Sequence, residues 1–221
     1  MVDCLHYEAP GGHARALLIM LPGAGIAAKE FAEQGMVAAV HELGLSVDII
    51  VAQPDLGLYL DGHVATALHQ AVVEPAMARG VSRIWLLGIS LGGMGALLYA
   101  SAYPAHIEGI VLLAPFLGTT GTTAEFARAG SLSAWSATGS IATDPEQRLL
   151  LWLQEHLARR DTAPVLYLGY GDADRFASAH RMLAAELPAE RLVVTAGGHD
   201  WPTWTDLWRQ LLARAPMKLD A

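Results

Sequence analysis

Arg83-Ile84-Trp85-Leu86-Leu87-Gly88-Ile89-Ser90-Leu91-Gly92-Gly93-Met94-Gly95-Ala96-Leu97-Leu98-Tyr99-Ala100 is the stretch on which the fold of this chain turns. Its first five residues make an apolar run of strand length, and from Gly93 to Ala100 the small and apolar residues read as a helix packed close to its neighbours. Between them stands Gly88-Ile89-Ser90-Leu91-Gly92, a serine flanked by glycines at a strand-to-helix switch. In such a turn a bulky side chain at Gly88 or Gly92 would collide with neighbouring backbone, and the serine hydroxyl is lifted clear of the sheet.

Outward from this centre, strand-like and helix-like segments alternate. Cys4 to Glu8 reads as an edge strand turning at Pro10-Gly11-Gly12, and Ala16 to Leu21 as a buried strand ending at Pro22-Gly23-Ala24-Gly25. Phe31, Met36, Val37, Val40 and Leu43 recur near helical period over Glu30–Leu43, with Gly44 as a stop. Ser46 to Ala52 is a β-branched strand, and Leu68, Ala71 and Val72 line a helix that Pro75 must kink or end. Beyond the central stretch, Ile110–Leu113, Val165–Gly169 and Arg191–Thr195 supply three more strands. A last helix is expected from about Thr203, with Asp206 as its capping partner. This alternation implies an α/β domain, a mostly parallel sheet with helices on both faces in three layers. The segment from Gly118 to Thr162 breaks the rhythm. It reads as loop through Ser140, then as a helix opened by Asp144 as cap and Pro145 at its first position. It is a candidate small lid within a single domain spanning 1–221.

Composition narrows the function classes. The 221 residues are 53% hydrophobic and only 16% charged, which suits strands buried on both faces. The net charge of −8 and the lack of a basic cluster argue against nucleic-acid binding and membrane-surface attachment. Met1-Val2-Asp3-Cys4-Leu5-His6 has no basic segment leading into an apolar one, and the single cysteine leaves no intrachain disulfide. These features together lead to the expectation of a cytoplasmic protein. The histidines show no metal spacing, and no metal or organic cofactor is expected.

A serine hydroxyl becomes a useful nucleophile when a base takes its proton and a third group orients that base. Past the strand at 165–169 comes Tyr170-Gly171-Asp172-Ala173-Asp174-Arg175, and past the strand at 191–195 comes Ala196-Gly197-Gly198-His199-Asp200-Trp201. Serine, acid and histidine thus follow one another in chain order, each just beyond the carboxyl end of a strand. There the chain resembles the α/β-hydrolase superfamily of serine esterases and thioesterases, from the loop at Pro22 to His199 and the helix beyond. The resemblance implies Ser90 as nucleophile and His199 as general base. A Gly-x-x-Asp acid turn selects Asp174, with Asp172 as the alternative. The segment Gly197-Gly198-His199-Asp200-Trp201, with Trp204 beyond, is also similar to the histidine segment of esterase-D-like small esterases.

An oxyanion hole needs two backbone N–H groups aimed at the developing charge. Leu91 N–H, just after the serine, is one. The resemblance implies the other in the loop after the early strand, where the family often has His-Gly-x and this chain has Pro22-Gly23-Ala24. By position the donor is Ala24. Met94, Phe116 and Trp201 are the candidates for lining a substrate pocket. A rival reading takes Gly23-Ala24-Gly25-Ile26-Ala27-Ala28 as a dinucleotide fingerprint with Asp48 on the ribose, but it leaves the serine turn and the histidine segment unexplained. The reading carried forward is a compact α/β-hydrolase with minimal or no lid, cleaving a small or medium acyl ester. A thioesterase, an acyltransferase with the same three residues, or a non-catalytic binding protein on that scaffold are the alternatives. Oligomeric state is not legible here.

Overall fold

The computed structural model describes residues 1–12, 14–137, 145–159 and 164–214. In chain order the elements are β1 (Val2–Tyr7), β2 (Ala16–Leu21), α1 (Glu30–Glu33), α2 (Met36–Glu42), β3 (Val47–Pro54), α3 (Leu56–Leu60), α4 (Val64–Leu68), α5 (Glu74–Ala78), β4 (Arg83–Ile89) and α6 (Leu91–Ala102). They continue with β5 (Gly109–Leu113), α7 (Thr120–Ala129), α8 (Pro145–Ala158), β6 (Val165–Gly171), α9 (Ala177–Ala184), β7 (Leu192–Thr195) and α10 (Trp201–Arg214). The strands form one seven-stranded sheet in the order β1-β3-β2-β4-β5-β6-β7. Only β1 runs antiparallel, pairing Val2 with Pro54 through Tyr7 with Ile49, and all other pairs are parallel.

The pleat divides the core in two. Along β2, Leu17, Ile19 and Leu21 face one side, where α4, α5, α6, α7, α8 and α9 contribute residues such as Leu68, Ala76, Leu97, Phe126, Leu153 and Leu183. Ala16, Leu18 and Met20 face the other, under Phe31 of α1, Val40 of α2 and Leu211 of α10. Side chains of one strand alternate between the faces, so a fully apolar β2 serves both layers. Trp208 of α10 is 1% exposed and donates its indole N–H to the Met36 carbonyl at 3.0 Å, tying α10 to α2. Among the described residues no helix is long and apolar enough to cross a membrane.

Local detail departs from the sequence reading in four places. The helix expected over Glu30–Leu43 is two, because Gly35 adopts φ 77° and breaks the run between α1 and α2. Pro75 does not end the helical run, which continues through α5. A π-helical turn over His69–Val73 precedes it, and widening the turn makes room for a ring that would press on the carbonyl four residues back. The loop expected from Gly118 to Ser140 contains α7, whose Thr122 and Phe126 are buried. The last helix starts at Trp201, and its cap is Asp200, which accepts the Thr203 N–H at 3.0 Å and the Thr203 hydroxyl at 2.7 Å. Asp206 instead accepts the Thr195 hydroxyl at 2.9 Å. The expected cap at Asp144 lies outside the described residues.

Candidate active site

Strand β4 ends at Ile89 and α6 begins at Leu91, which leaves a single residue, Ser90, to turn the chain. It does so at φ 52° and ψ −115°, a conformation costing on the order of 1–3 kcal/mol that the surroundings must hold. Four backbone bonds hold it. The Ser90 N–H donates to Leu113 at 3.0 Å, and the Ser90 carbonyl accepts from Gly93 (2.9 Å), Met94 (3.3 Å) and Phe116 (2.8 Å). A β-carbon at Gly88 would strike the Gly92 carbonyl, and one at Gly92 would strike the Leu21 carbonyl at the end of β2. Both glycines are therefore required by packing rather than by dihedral freedom.

The hydroxyl so presented meets a residue 109 positions away. Ser90 Oγ and His199 Nε2 are 3.0 Å apart, and His199 Nδ1 and Asp174 Oδ2 are 2.7 Å apart. The second Asp174 oxygen accepts the Phe176 N–H at 2.8 Å. An ionised carboxylate only accepts hydrogen bonds, so Nδ1 carries the imidazole proton and Nε2 offers its lone pair to the serine O–H. Burial pushes the Asp174 carboxyl upward, but the His199 hydrogen bond, the Phe176 N–H and the positive fields of His199 and His180 together hold it below its ordinary value. Asp172, two residues earlier, is exposed and accepts the Gly197 N–H at 3.2 Å, bracing the turn that leads to the histidine.

The loop after β2 packs directly on the serine: a β-carbon at Gly23 would lie 3.2 Å from Ser90 Cβ. Three of its amides are engaged. Ile26 N–H donates to Gly23 at 3.1 Å, Ala27 N–H to Glu30 Oε1 at 2.7 Å and Ala28 N–H to Gln53 Oε1 at 2.8 Å. Among the described residues, neither Ala24 N–H nor Leu91 N–H finds a protein acceptor. These are the two donors singled out in the sequence.

A serine, a base and a carboxylate in one hydrogen-bonded line, with unpaired amides beside them, is an arrangement suited to acyl transfer. A family model described as serine aminopeptidase, S33, matches residues 62–216, a span holding all three. The chain belongs to this hydrolase family. The α/β-hydrolase resemblance and the three-layer, mostly parallel architecture read from the sequence are thereby borne out. The solved structures agree on the fold. A monoacylglycerol lipase of Paleococcus ferrophilus is 14% identical, with 97% of this chain and 100% of that one covered and a TM-score of 0.58. Fluorophosphonate-binding serine hydrolase F of Staphylococcus aureus is 15% identical over 100% and 99% of the two chains, with a TM-score of 0.63. A thermophilic esterase of Thermogutta terrifontis is 13% identical over 100% and 94%, also at 0.63. No curated protein matches the chain in sequence.

The other residues picked from the sequence of this hydrolase have distinct surroundings. Met94 is 8% exposed and belongs to the core beneath α6. Phe116 is half-buried, its ring edge-on to Phe176 at 5.8 Å between centroids. Trp201 packs edge-on against Phe31 and Trp204 and donates its indole N–H to Glu30 Oε2 at 3.1 Å. Glu30 thus joins the Ala24 loop to the histidine loop. The sequence reading did not single out Glu30; a glutamate three residues after Ala27, half of a capping box, is the signal that could have found it. Phe176, edge-on to His199 at 5.2 Å, and His180, fully buried with Nε2 donating to the Pro115 carbonyl at 2.9 Å, gave no such signal. Their partners are remote in the chain or defined only by the fold.

Proposed function

We propose that this chain hydrolyses a small or medium carboxylic ester through an acyl-enzyme on Ser90. The observation that carries the reading is the unbroken line Ser90 Oγ–His199 Nε2 and His199 Nδ1–Asp174 Oδ2 at 3.0 and 2.7 Å. In this reading Ser90 Oγ bonds to the ester carbonyl carbon as Nε2 takes its proton. Asp174 keeps the imidazole in the right tautomer and balances the imidazolium. Ala24 and Leu91 N–H groups hydrogen-bond the oxyanion. Collapse breaks the bond to the alcohol oxygen, which leaves with the proton from Nε2. Water then gives a proton to Nε2 and attacks the acyl carbon, and the carboxylic acid departs as Ser90 regains its proton.

The ester class is supported by structural relatives named as a monoacylglycerol lipase and an esterase. The family description, serine aminopeptidase, favours a second reading in which the scissile bond is an amide. Ser90→Ala should lower turnover of p-nitrophenyl butyrate by on the order of 10⁶-fold and abolish labelling by a fluorophosphonate. Undiminished turnover would overturn the serine mechanism. An alanyl p-nitroanilide cleaved faster than the butyrate ester would favour the amide reading. Product analysis with added alcohols and thiols distinguishes hydrolysis from acyl transfer.

A further inference from the structure

A surface groove of about 450 Å³ is lined in part by Phe176, whose ring packs edge-on to His199, and by Phe116, whose N–H bonds the Ser90 carbonyl. Its walls include Phe116, Thr119, Thr120, Thr123, Arg175 and Phe176. It is built on the parts that hold the site, since Phe116 N–H supports the Ser90 carbonyl and Phe176 N–H supports Asp174. The Arg175 guanidinium carbon lies 4.9 Å from the centre of the Phe176 ring, whose own centre is 5.2 Å from that of His199. A single phenyl ring therefore separates a fixed positive charge from the imidazole.

The chain holds 14 basic and 22 acidic residues, and Arg175 is the basic residue that lines this groove. Arg175 has no carboxylate within 4.0 Å among the described residues, as is true of several other arginines, and what distinguishes it is its place over the Phe176 ring. Its carboxylate neighbours are engaged elsewhere: Asp174 with His199 and Asp172 with Gly197. Glu146, behind the threonines, accepts the Thr119 N–H (2.9 Å), the Thr119 hydroxyl (3.0 Å) and the Thr122 hydroxyl (2.6 Å). The amino end of α7 is thus already occupied, and the groove's own positive charge is Arg175. An arginine held over an aromatic ring by its charge still has N–H groups to offer, and their fork matches the oxygens of a carboxylate or phosphate.

We propose that this groove is a subsite for an anionic group carried by the ester substrate, with Arg175 recognising it. The proposal rests on the ester reading above and adds the substrate class to it. The natural substrate would then be an ester of a dicarboxylic acid, or of an alcohol that itself bears an acidic group.

Two pairs of esters, each one anionic and one neutral, test this at low ionic strength. Mono-p-nitrophenyl glutarate against p-nitrophenyl valerate puts the charge on the acyl side, and 4-acetoxybenzoate against phenyl acetate puts it on the alcohol side. For at least one pair, Arg175→Gln should lower the anionic-to-neutral ratio of kcat/KM by about tenfold, chiefly through KM, while Arg175→Lys retains most of the ratio. The pair that responds tells which half of the substrate enters the groove. If Arg175→Gln leaves both ratios unchanged while the esters are turned over, the subsite is overturned and the ester reading stands. If wild-type protein turns over none of the four, the ester reading itself fails and takes the subsite with it.

Discussion

Asp172 and Asp174 leave the same turn in opposite directions, one accepting the exposed Gly197 amide and the other buried against His199. They stand two residues apart in one turn, so residue type and order left both open as the acid, and only the Gly-x-x-Asp pattern of the resemblance selected Asp174. What separates them is the backbone bond from Asp174 N–H to Gly171 and the return bond from Phe176, which turn one side chain inward. Asp174→Asn should lower kcat for p-nitrophenyl butyrate by about 10³–10⁴-fold, because an amide at that position favours the wrong imidazole tautomer. Asp172→Asn should cost no more than a fewfold. The reverse ranking would move the acid to Asp172.

At the scale of elements, the strands were legible because each is a short apolar run ended by glycine or proline, and the serine turn because its glycines are fixed by backbone contact. α7 was not. Thr119-Thr120-Gly121-Thr122-Thr123 has weak helix propensity, and the helix forms because Phe126 is buried and Glu146, remote in the chain, supplies acceptors at its first turn. Tertiary context overrides local preference there. Glu30 couples elements in the same way, joining the loop before α1 to the first turn of α10. Glu30→Ala should lower kcat for p-nitrophenyl butyrate by about tenfold with little change in KM, since loosening Ala27 shifts the amide three residues earlier, the oxyanion donor of the proposed mechanism. Glu30→Gln, which keeps an acceptor for Ala27, should recover part of the loss. A lower melting temperature with unchanged kcat would reduce Glu30 to a structural tie.

For the molecule as a whole, His180 links folding stability to pH. Burial lowers its pKa, opposed by its bond to the Pro115 carbonyl and the charge of Asp174. The unfolded chain therefore takes up this proton first as pH falls below the ordinary histidine value of about 6.5. Stability from His180 is complete above that value and is lost as pH falls through the folded one. His180→Gln, which retains a donor for Pro115, should show a smaller drop in urea midpoint between pH 7 and 5 than the wild type. An equal drop would remove His180 from the account. None of this was readable in advance, because position 180 meets position 115 only through the packing of α9 on the end of β5.

The edge position of β7 carries a consequence for the newly made chain. This four-residue strand pairs only with β6, and it delivers His199. Ser90 leaves the ribosome more than a hundred residues before its base. Since synthesis proceeds at roughly 5–20 residues per second, the hydroxyl exists for seconds with no group to take its proton. In the proposed mechanism the serine waits for the segment that carries His199, so a chain released before that segment is made would carry the serine turn without its base.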